Sequence, residues 1–292
     1  MSITIESISA RIFLRKPSAL AGLAILALLY LIAIIIVVDP HLLTHYNPDA
    51  LNFADANRPP SLTHLFGTDA YGRDIFTRVL YALPLDSAIP FAIVGFGVVL
   101  GTTLGTIAGY FGGFAEEVIL RVTDVFFAFP SIILALAIAS ILGQGAQSER
   151  VYYSILALMV VSWPFYTRLA RAQILVLRNA PFVKFAELSG HGSVYTMRKH
   201  ILPHITPIIV AYASLDMGTT LLTYSVFAFF GLGAQPPTPE LGRMVYSGLS
   251  TLPGNWWWSL FPGIILTLFA LGYSLVGEAL RDVLDPRLRG TT

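Results

Sequence analysis

The sequence predicts an all-α integral membrane protein with six transmembrane helices, because it is apolar overall and its apolar residues form long continuous runs. Of its 292 residues, 55% are hydrophobic and 12% are charged, whereas a typical soluble domain has about 25% charged residues. A mean hydropathy of +0.70 points the same way. Backbone in lipid must satisfy its own hydrogen bonds, and continuous runs favour helices over the short alternating strands of a barrel.

Six predominantly apolar runs account for the predicted helices. The first, 19–38, has no charged residue, and its length matches the hydrocarbon core at about 1.5 Å per residue. Arg11, Arg15 and Lys16 precede it. The run is too long for a signal-peptide core and no A-x-A cleavage site follows it, so we expect an uncleaved first span. The other predicted spans are 87–115, 125–148, 151–167, one within 205–233 and one within 260–277.

The basic residues orient these spans, since cytoplasmic segments of membrane proteins carry the excess of Lys and Arg. With a cytoplasmic N-terminus, thirteen of the 18 basic residues lie inside and five outside, so both termini are predicted to be cytoplasmic. The five outside are Arg58, Arg73, Arg78, Arg150 and Arg243. The predicted division is a cytoplasmic segment 1–18, a first span 19–38, an extracytoplasmic loop 39–86, a five-helix core 87–281 with a cytoplasmic loop 178–203, and a cytoplasmic tail 282–292.

Composition excludes several kinds of site. The chain has no cysteine, which excludes disulfides, iron–sulfur ligation and cysteine-based zinc sites. Its formal net charge is +1 and it has no basic tail, so a nucleic-acid partner is not expected. Pro203 lies between His200 and His204 and no carboxylate is near, which favours a basic interfacial segment over a metal site. We expect this chain to bind neither a metal nor a cofactor.

The segment 178–203 contains the signature of a short helix. Asn179 is a candidate N-cap, Pro181 suits a first turn, and Gly190 suits a left-handed stop. A helix this short needs a partner surface for stability, and on these residues alone that surface is either lipid or another protein. The predicted apolar face carries Phe182, Phe185, Ala186 and Ser189, and the polar face carries Lys184, Glu187 and His191.

This segment resembles the loop of ABC importer permeases that couples to the ATPase. The family pattern is E-A-A, three further residues, G, and then I-x-L-P after a fixed gap. The matching residues are Ala186, Gly190, Leu202 and Pro203, and Ile201 directly precedes the last two. Lys184 and Phe185 stand where the family has glutamate and the first alanine. The resemblance implies a coupling surface made of Phe182, Val183, Lys184, Phe185, Ala186, Glu187, Gly190, His191, Leu202 and Pro203.

Four further stretches make the chain look like the C-type permease subunit of dipeptide and oligopeptide importers. They are 64–74, 108–113, 230–240 and 280–289. The resemblance implies the type I ABC importer bundle in the cytoplasmic (inner) membrane. It also implies a second homologous permease forming a heterodimer, two ABC ATPase subunits and an extracytoplasmic binding protein. The implied cargo is a di- or oligopeptide, with oligosaccharides and nickel chelates as alternatives.

Hydrolysis is expected to belong to a partner. The chain has no G-x-x-x-x-G-K-[ST] motif, so ATP and Mg are expected on the ATPase subunits, and the chain itself is not expected to be an enzyme. An ATP-independent secondary transporter is the less favoured alternative. It calls for inverted repeats and ionisable relays in the bilayer, of which the sequence shows only Asp216. A receptor or channel component, the other rival, would not associate with an ATPase.

Polar residues in the fifth run are candidates for the translocation pathway. An intramembrane Asp costs about 2.5 to 3.5 kcal/mol near the bilayer centre, so Asp216 is expected to face the bundle interior. It either lines a cavity that meets a peptide ammonium group or pairs near the membrane boundary. Thr220, Thr223 and Tyr224 are predicted to line the same pathway.

Two outer loops carry the predicted docking or gating residues. In the first, Asp69, Arg73 and Asp74 either contact the binding protein or brace the loop through Arg–carboxylate pairs. In the second, a stiff proline-rich stretch suits a docking or gating element. Its candidate residues are Gln235, Pro236 and Pro237.

Small and aromatic residues allow competing interpretations. The four glycines Gly97, Gly101, Gly105 and Gly109 form a stripe for close helix packing, either inside the subunit or with a second permease. Pro130 and Pro164 are packing features or hinges. An aromatic belt at the headgroup level is the expected role of Trp256, Trp257 and Trp258.

Overall fold

The computed structural model describes residues 13–143 and 149–284. The predicted all-α class is confirmed there, because the only β pairing in this part of the chain is an isolated bridge between Thr68 and Asp74. The helices are α1 (Pro17–Val38), α2 (Ile75–Phe111), α3 (Gly113–Phe127), α4 (Ser131–Leu142), α5 (Arg150–Leu177), α6 (Pro181–Leu188), α7 (Ser193–Thr196), α8 (Leu202–Phe229), α9 (Leu241–Leu249) and α10 (Trp257–Leu284). A π-helical turn, Met197–Ile201, joins α7 to α8.

Parts of the predicted terminal segments, together with 144–148, lie outside the described residues. These include Arg11, Arg287 and Arg289. We name the two ends of the helix bundle by their loops. At the Gly67 end, α1 ends and α2 begins; at the Gly190 end, α2 ends and α6 lies.

By length and apolar composition alone, fewer helices than the six predicted could span a membrane. Within the described ranges, α1, α2, the continuous α7–α8 segment and α10 are long and apolar enough to cross a membrane, which makes 4 candidates. The bent pair α3–α4 makes a fifth if it counts as one span. The helix that falls short is α5, whose 28 residues include Arg150, Arg168 and Arg171 as well as tyrosine, tryptophan and proline.

The glycine stripe is a seam inside this chain. A Cβ placed on Gly101 would lie 2.5 Å from the Trp163 carbonyl oxygen and 2.6 Å from the Tyr166 Cβ, and one on Gly109 would lie 3.0 Å from the Ile174 side chain. The partners of Gly97 and Gly105 are also on α5. Backbone contact of this closeness leaves no room for side chains, so the alternative of a seam with a second permease is wrong for this stripe.

The second helix begins earlier than predicted. It starts at Ile75 rather than at residue 87, so part of the predicted outer loop 39–86 is helical. The Asp74 carboxylate accepts the Thr77 N–H at 2.7 Å and caps the helix. The charges of Arg78 and Asp86, which end the apolar run in the sequence, are buried against partners from other segments. Charge in the sequence therefore did not mark the boundary of the helix.

The third predicted span is not a straight helix. Helices α3 and α4 meet at an angle of 85°, and the break lies at Ala128–Pro130. Proline has no N–H, and it disfavours helical backbone in the residue before it. Pro164, by contrast, sits inside a continuous α5.

The last helix, α10, packs against α1, α8 and α9. The Tyr30 and Tyr273 hydroxyl groups share a hydrogen bond, and the Lys16 ammonium group lies 2.7 Å from the Asp282 carboxylate. The predicted aromatic belt is wrong for two of its three residues. Trp257 and Trp258 are buried in the core, because α10 starts under the outer loop and the Trp257 Nε1–H donates to the Thr68 carbonyl at 3.2 Å.

Candidate functional site

An open cavity of about 460 Å³ lies among α2, α3–α4, α5 and α8. Its wall is mostly apolar, with a polar strip along α8. The lining residues are Ile93, Phe127, Ser131, Leu158, Val161, Ser162, Phe165, Tyr212, Leu215, Asp216, Thr219, Thr220 and Thr223. The predicted pathway residues Asp216, Thr220 and Thr223 are thus brought together on one surface.

Asp216 is held in place by two hydroxyl groups. The Tyr166 hydroxyl donates to its Oδ2 at 2.7 Å, and the Thr219 hydroxyl is shared between its Oδ1 at 3.2 Å and the Asp216 backbone carbonyl at 3.0 Å. No basic side chain pairs with this carboxylate among the residues that the structure describes. The negative charge is therefore satisfied by neutral donors and stays available to a cation in the cavity.

The structure corrects the prediction for Tyr224 and adds Tyr166. Tyr224 is fully buried in a core cluster with Ile89 and Phe227 and does not line the cavity. Tyr224 lies on the side of α8 that faces away from the cavity strip. The order of residues in the fifth run did not distinguish this side of the helix from the cavity side. Tyr166 lies on α5, and its role depends on which face of α5 meets α8.

The first group of predicted outer residues makes internal contacts. The Asp69 carboxylate accepts the Arg73 Nε–H at 2.7 Å and also accepts the Tyr71 and Arg73 backbone N–H groups. Asp74 is buried, and its Oδ1 lies 2.9 Å from the His64 Nδ1. These contacts brace the loop at the entrance to α2.

The second outer loop is fastened to α2 by a buried arginine. The Arg78 guanidinium donates to the Pro237 carbonyl at 3.0 Å, to the Pro48 carbonyl at 2.7 Å and to the Asp49 carboxylate at 3.0 Å. The Gln235 amide donates to carbonyls of its own loop. The rings of Pro236 and Pro237 remain exposed.

A buried pair of carboxyl groups joins the same loop to α2, and no local sequence pattern indicates it. Asp86 and Glu240 are both 0% exposed and their side chains lie near each other, and Asp86 Oδ1 has no hydrogen-bond partner among the described residues. Glu240 caps α9 by accepting the Gly242 and Arg243 N–H groups at 2.7 and 2.8 Å, while Asp86 Oδ2 accepts the Leu241 N–H at 3.0 Å. Burial raises the pKa of the Glu240 carboxyl to about 7.

At the Gly190 end, α6 has the predicted stop but not the predicted start. Its N-cap is Ala180, which has no side-chain cap bond, rather than Asn179. Gly190 has a φ of +80°, its N–H donates to the Glu187 carbonyl at 3.0 Å, and the His191 N–H donates to the Ala186 carbonyl at 3.2 Å. These two bonds form a Schellman motif, which needs a left-handed residue at that point.

The apolar residues of α6 divide differently from the prediction. Val183 and Ala186 are buried against the bundle, whereas Phe185 is 73% and Leu188 86% exposed. Phe182 stacks on the His204 ring at 4.7 Å between centroids. The outward face of α6 is thus an exposed apolar surface, defined here by Phe185 and Leu188.

The polar residues of α6 interact within the chain. The Tyr110 hydroxyl donates to Glu187 at 3.0 Å and the Lys184 ammonium group donates to it at 3.2 Å. The Tyr110 bond first, and then the Lys184 bond, hold the pKa of the Glu187 carboxyl below its usual value. The ring of His191 packs at 4.4 Å from that of Tyr195. Leu202 and Pro203 form the first turn of α8.

Comparison with known proteins shows the family of the chain. Residues 101–290 match the model of the binding-protein-dependent transport system inner membrane component, and residues 8–60 match the N-terminal transmembrane domain of oligopeptide transport permease C. The chain belongs to this family of transport permeases. The first match begins within α2 and takes in the cavity strip, the whole of α6 and the second outer loop.

Three relatives illustrate the similarity. A probable D,D-dipeptide transport system permease protein of Escherichia coli is 36% identical, over 90% of this chain and 86% of its own. A dipeptide transport system permease protein of Alkalihalophilus pseudofirmus is 38% identical, over 94% and 88%. A glutathione transport system permease protein of Pectobacterium atrosepticum is 36% identical, over 96% and 90%.

Proposed function

We propose that this permease is one of two homologous membrane subunits of an ABC importer for short peptides. In this arrangement the Gly190 end is cytoplasmic, two ATPase subunits bind there, and a binding protein delivers cargo at the Gly67 end. The chain crosses the membrane six times, with α3–α4 and α5 completing the spans. ATP and Mg are bound by the ATPase subunits and not by this chain.

The observation that carries the proposal is the exposed apolar face of α6. Two large side chains, Phe185 and Leu188, are held outward by a helix of 8 residues that the bundle anchors through Val183 and Ala186. A short helix with an exposed apolar surface, fixed by a Schellman turn, is suited to fit into a groove of another protein. Tyr110 links Glu187 to α2, so movement of α6 is transmitted to the helix that contributes Ile93 to the cavity wall.

Peptide cargo is supported by the relatives and by the cavity. The named cargoes of the relatives, D,D-dipeptides, dipeptides and glutathione, are all short peptides or peptide-like molecules with an ammonium group and a carboxylate. Asp216 offers a carboxylate without a basic partner in the described chain, and Thr220 lines the same cavity. Such a wall suits brief contacts with a polar cargo rather than a tight site.

Replacing Leu188 with aspartate is expected to separate the permease from its ATPase. The exposed side chain contributes to binding but not to the core, so the variant should fold normally while a buried interface loses apolar contact and gains an unpaired charge. We expect at least a tenfold loss of ATPase co-purification, from a cost of roughly 2 kcal/mol. The measurement is the amount of ATPase retained on the tagged, detergent-solubilised permease.

The matched control is Leu62→Asp, because Leu62 is 98% exposed at the opposite end. It should leave ATPase retention unchanged. If Leu188→Asp and Phe185→Asp both retain the ATPase as well as the unmodified chain does, the coupling surface is not where we place it and the importer proposal fails.

Replacing Asp216 with asparagine is expected to slow uptake without unfolding the protein. The amide oxygen still accepts the Tyr166 hydroxyl, but the negative charge that attracts an ammonium group is lost. Hydrogen bonds to charged groups contribute about 1.5 to 3 kcal/mol, so we expect roughly a tenfold decrease in uptake by vesicles containing the assembled transporter. Uptake equal to that of the unmodified transporter, with equal thermal stability, would exclude a role of this charge in the pathway.

A further inference from the structure

A second depression, separate from the cavity, lies between α2 and the α7–α8 segment at the Gly190 end. It has a volume of about 380 Å³ and shares no lining residue with the cavity. We call it the lateral groove. Its apolar lining includes Val98, Val99, Ile107, Met197, Ile209 and Val210.

Three of the four threonine hydroxyl groups in the lateral groove are already used, and the fourth, on Thr102, is buried without a partner in the described chain. Thr103 donates to the Val99 carbonyl at 2.7 Å, Thr106 to the Thr102 carbonyl at 2.6 Å and Thr206 to the Leu202 carbonyl at 2.7 Å. These threonines therefore contribute methyl groups rather than free donors. The groove wall suits a hydrocarbon chain better than a polar ligand.

A cation without an acidic partner lies at one edge of the lateral groove. Arg198 lines the groove and is exposed, and the neighbouring Lys199 is exposed as well. Neither side chain has an acidic partner in residues 13–143 and 149–284. Several other basic residues of this end do have one, whereas Arg178 contacts the Gly109 carbonyl. Arg168 pairs with Asp124, Arg171 with Glu116 and Lys184 with Glu187.

We infer that the lateral groove binds an anionic phospholipid, with an acyl chain between α2 and α8 and the phosphate at Arg198 and Lys199. This inference rests on the orientation in the proposed function, in which the Gly190 end faces the cytoplasm. The cytoplasmic leaflet is rich in anionic lipid, and basic pockets between helices on that side bind anionic headgroups.

The charge distinguishes a lipid from a second permease as the occupant. A membrane-protein partner carries its own excess of basic residues at the cytoplasmic end, so it would place like charges beside Arg198 and Lys199. An anionic headgroup places opposite charge there. The aliphatic groove and its cationic edge together match the two halves of a phospholipid.

The absence of cysteine from the sequence permits a direct test with one labelled site. Thr103 is exposed within the lateral groove, so Thr103→Cys carries a bimane fluorophore in the full-length chain, reconstituted in phosphatidylcholine nanodiscs. Brominated phosphatidylglycerol is titrated against brominated phosphatidylcholine, and fluorescence quenching is measured. We expect quenching at lower mole fractions of phosphatidylglycerol. Arg198→Gln should weaken this preference about fivefold, since a basic residue near an anionic surface contributes about that factor.

Arg121→Gln is the matched control, because Arg121 is exposed at the same end and does not line the groove. It should keep the preference. Equal quenching by the two lipids, or a preference that survives Arg198→Gln together with Lys199→Gln, would overturn the inference. So would loss of quenching when the second permease is added, because a protein would then cover the groove. The assay measures no uptake, so failure of the coupling-surface experiment and failure of the lipid site are separate results.

Discussion

Gly101→Leu is expected to prevent stable folding of the permease. A Cβ at this position already falls 2.5 Å from the Trp163 carbonyl oxygen and 2.6 Å from the Tyr166 Cβ, and both belong to a neighbouring helix. Backbone cannot move aside as a flexible side-chain end can, so α2 and α5 must separate along the seam. Overpacking of this kind costs about 3 kcal/mol or more. The measurement is thermal unfolding in detergent together with the amount of protein recovered from membranes.

Gly95 provides the comparison for this substitution. It lies on the same helix, and a Cβ there meets nothing within 4 Å. Gly95→Leu should therefore unfold near the temperature of the unmodified protein. Similar losses in both variants would mean that glycine is needed for helix insertion generally and not for contact between α2 and α5.

Stability is expected to fall as the pH rises from 5 to 8, because of the pair formed by Asp86 and Glu240. Burial raises the pKa of Glu240 to about 7, above its value of 4.5 in an exposed chain. A raised carboxyl pKa means that the folded protein favours the protonated Glu240 side chain. The resulting stabilisation is complete below about pH 4.5 and is lost as the pH passes through about 7. The linked free energy is about 3 kcal/mol over this range.

Glu240→Gln should remove most of this dependence. The glutamine side chain does not titrate, and its amide oxygen still accepts one of the two α9 N–H groups that Glu240 caps. The unfolding temperature of the variant should then vary little from pH 5 to 8. Glu117→Gln is the control, since the Glu117 side chain is 67% exposed, and it should retain the slope of the unmodified protein. An unchanged slope in Glu240→Gln would show that Glu240 does not control the pH response.

The sequence predicted helix starts and ends correctly where their cause is local. Pro181 at the start of α6 and Gly190 at its left-handed end both follow from backbone geometry that neighbouring residues do not change. Asn179 failed as a cap because the chain is already extended at Ala180. Pro130 also indicated the break between α3 and α4, but the angle between these two helices depends on what they pack against.

Contacts between segments that are distant in the chain could not be predicted from local sequence. Tyr166 and Asp216 are separated by 50 residues, and Asp86 and Leu241 by 155, so no local pattern indicates that they meet. The same limit explains the start of α2. The charge of Arg78 indicated a loop in the sequence. The carbonyl groups that offset the free-energy cost of burying this charge lie in two other segments.

By itself, the sequence determined the class of protein, the position of most apolar helices and the loop that carries the coupling pattern. These follow from composition, from run length against bilayer thickness and from local turn chemistry. Tertiary structure alone decided which side of each helix is used. It turned the glycine stripe inward to α5, left Phe185 and Leu188 exposed, and placed Asp216 but not Tyr224 on the cavity wall. Helix periodicity defines the faces, but which face is buried depends on neighbours distant in the chain.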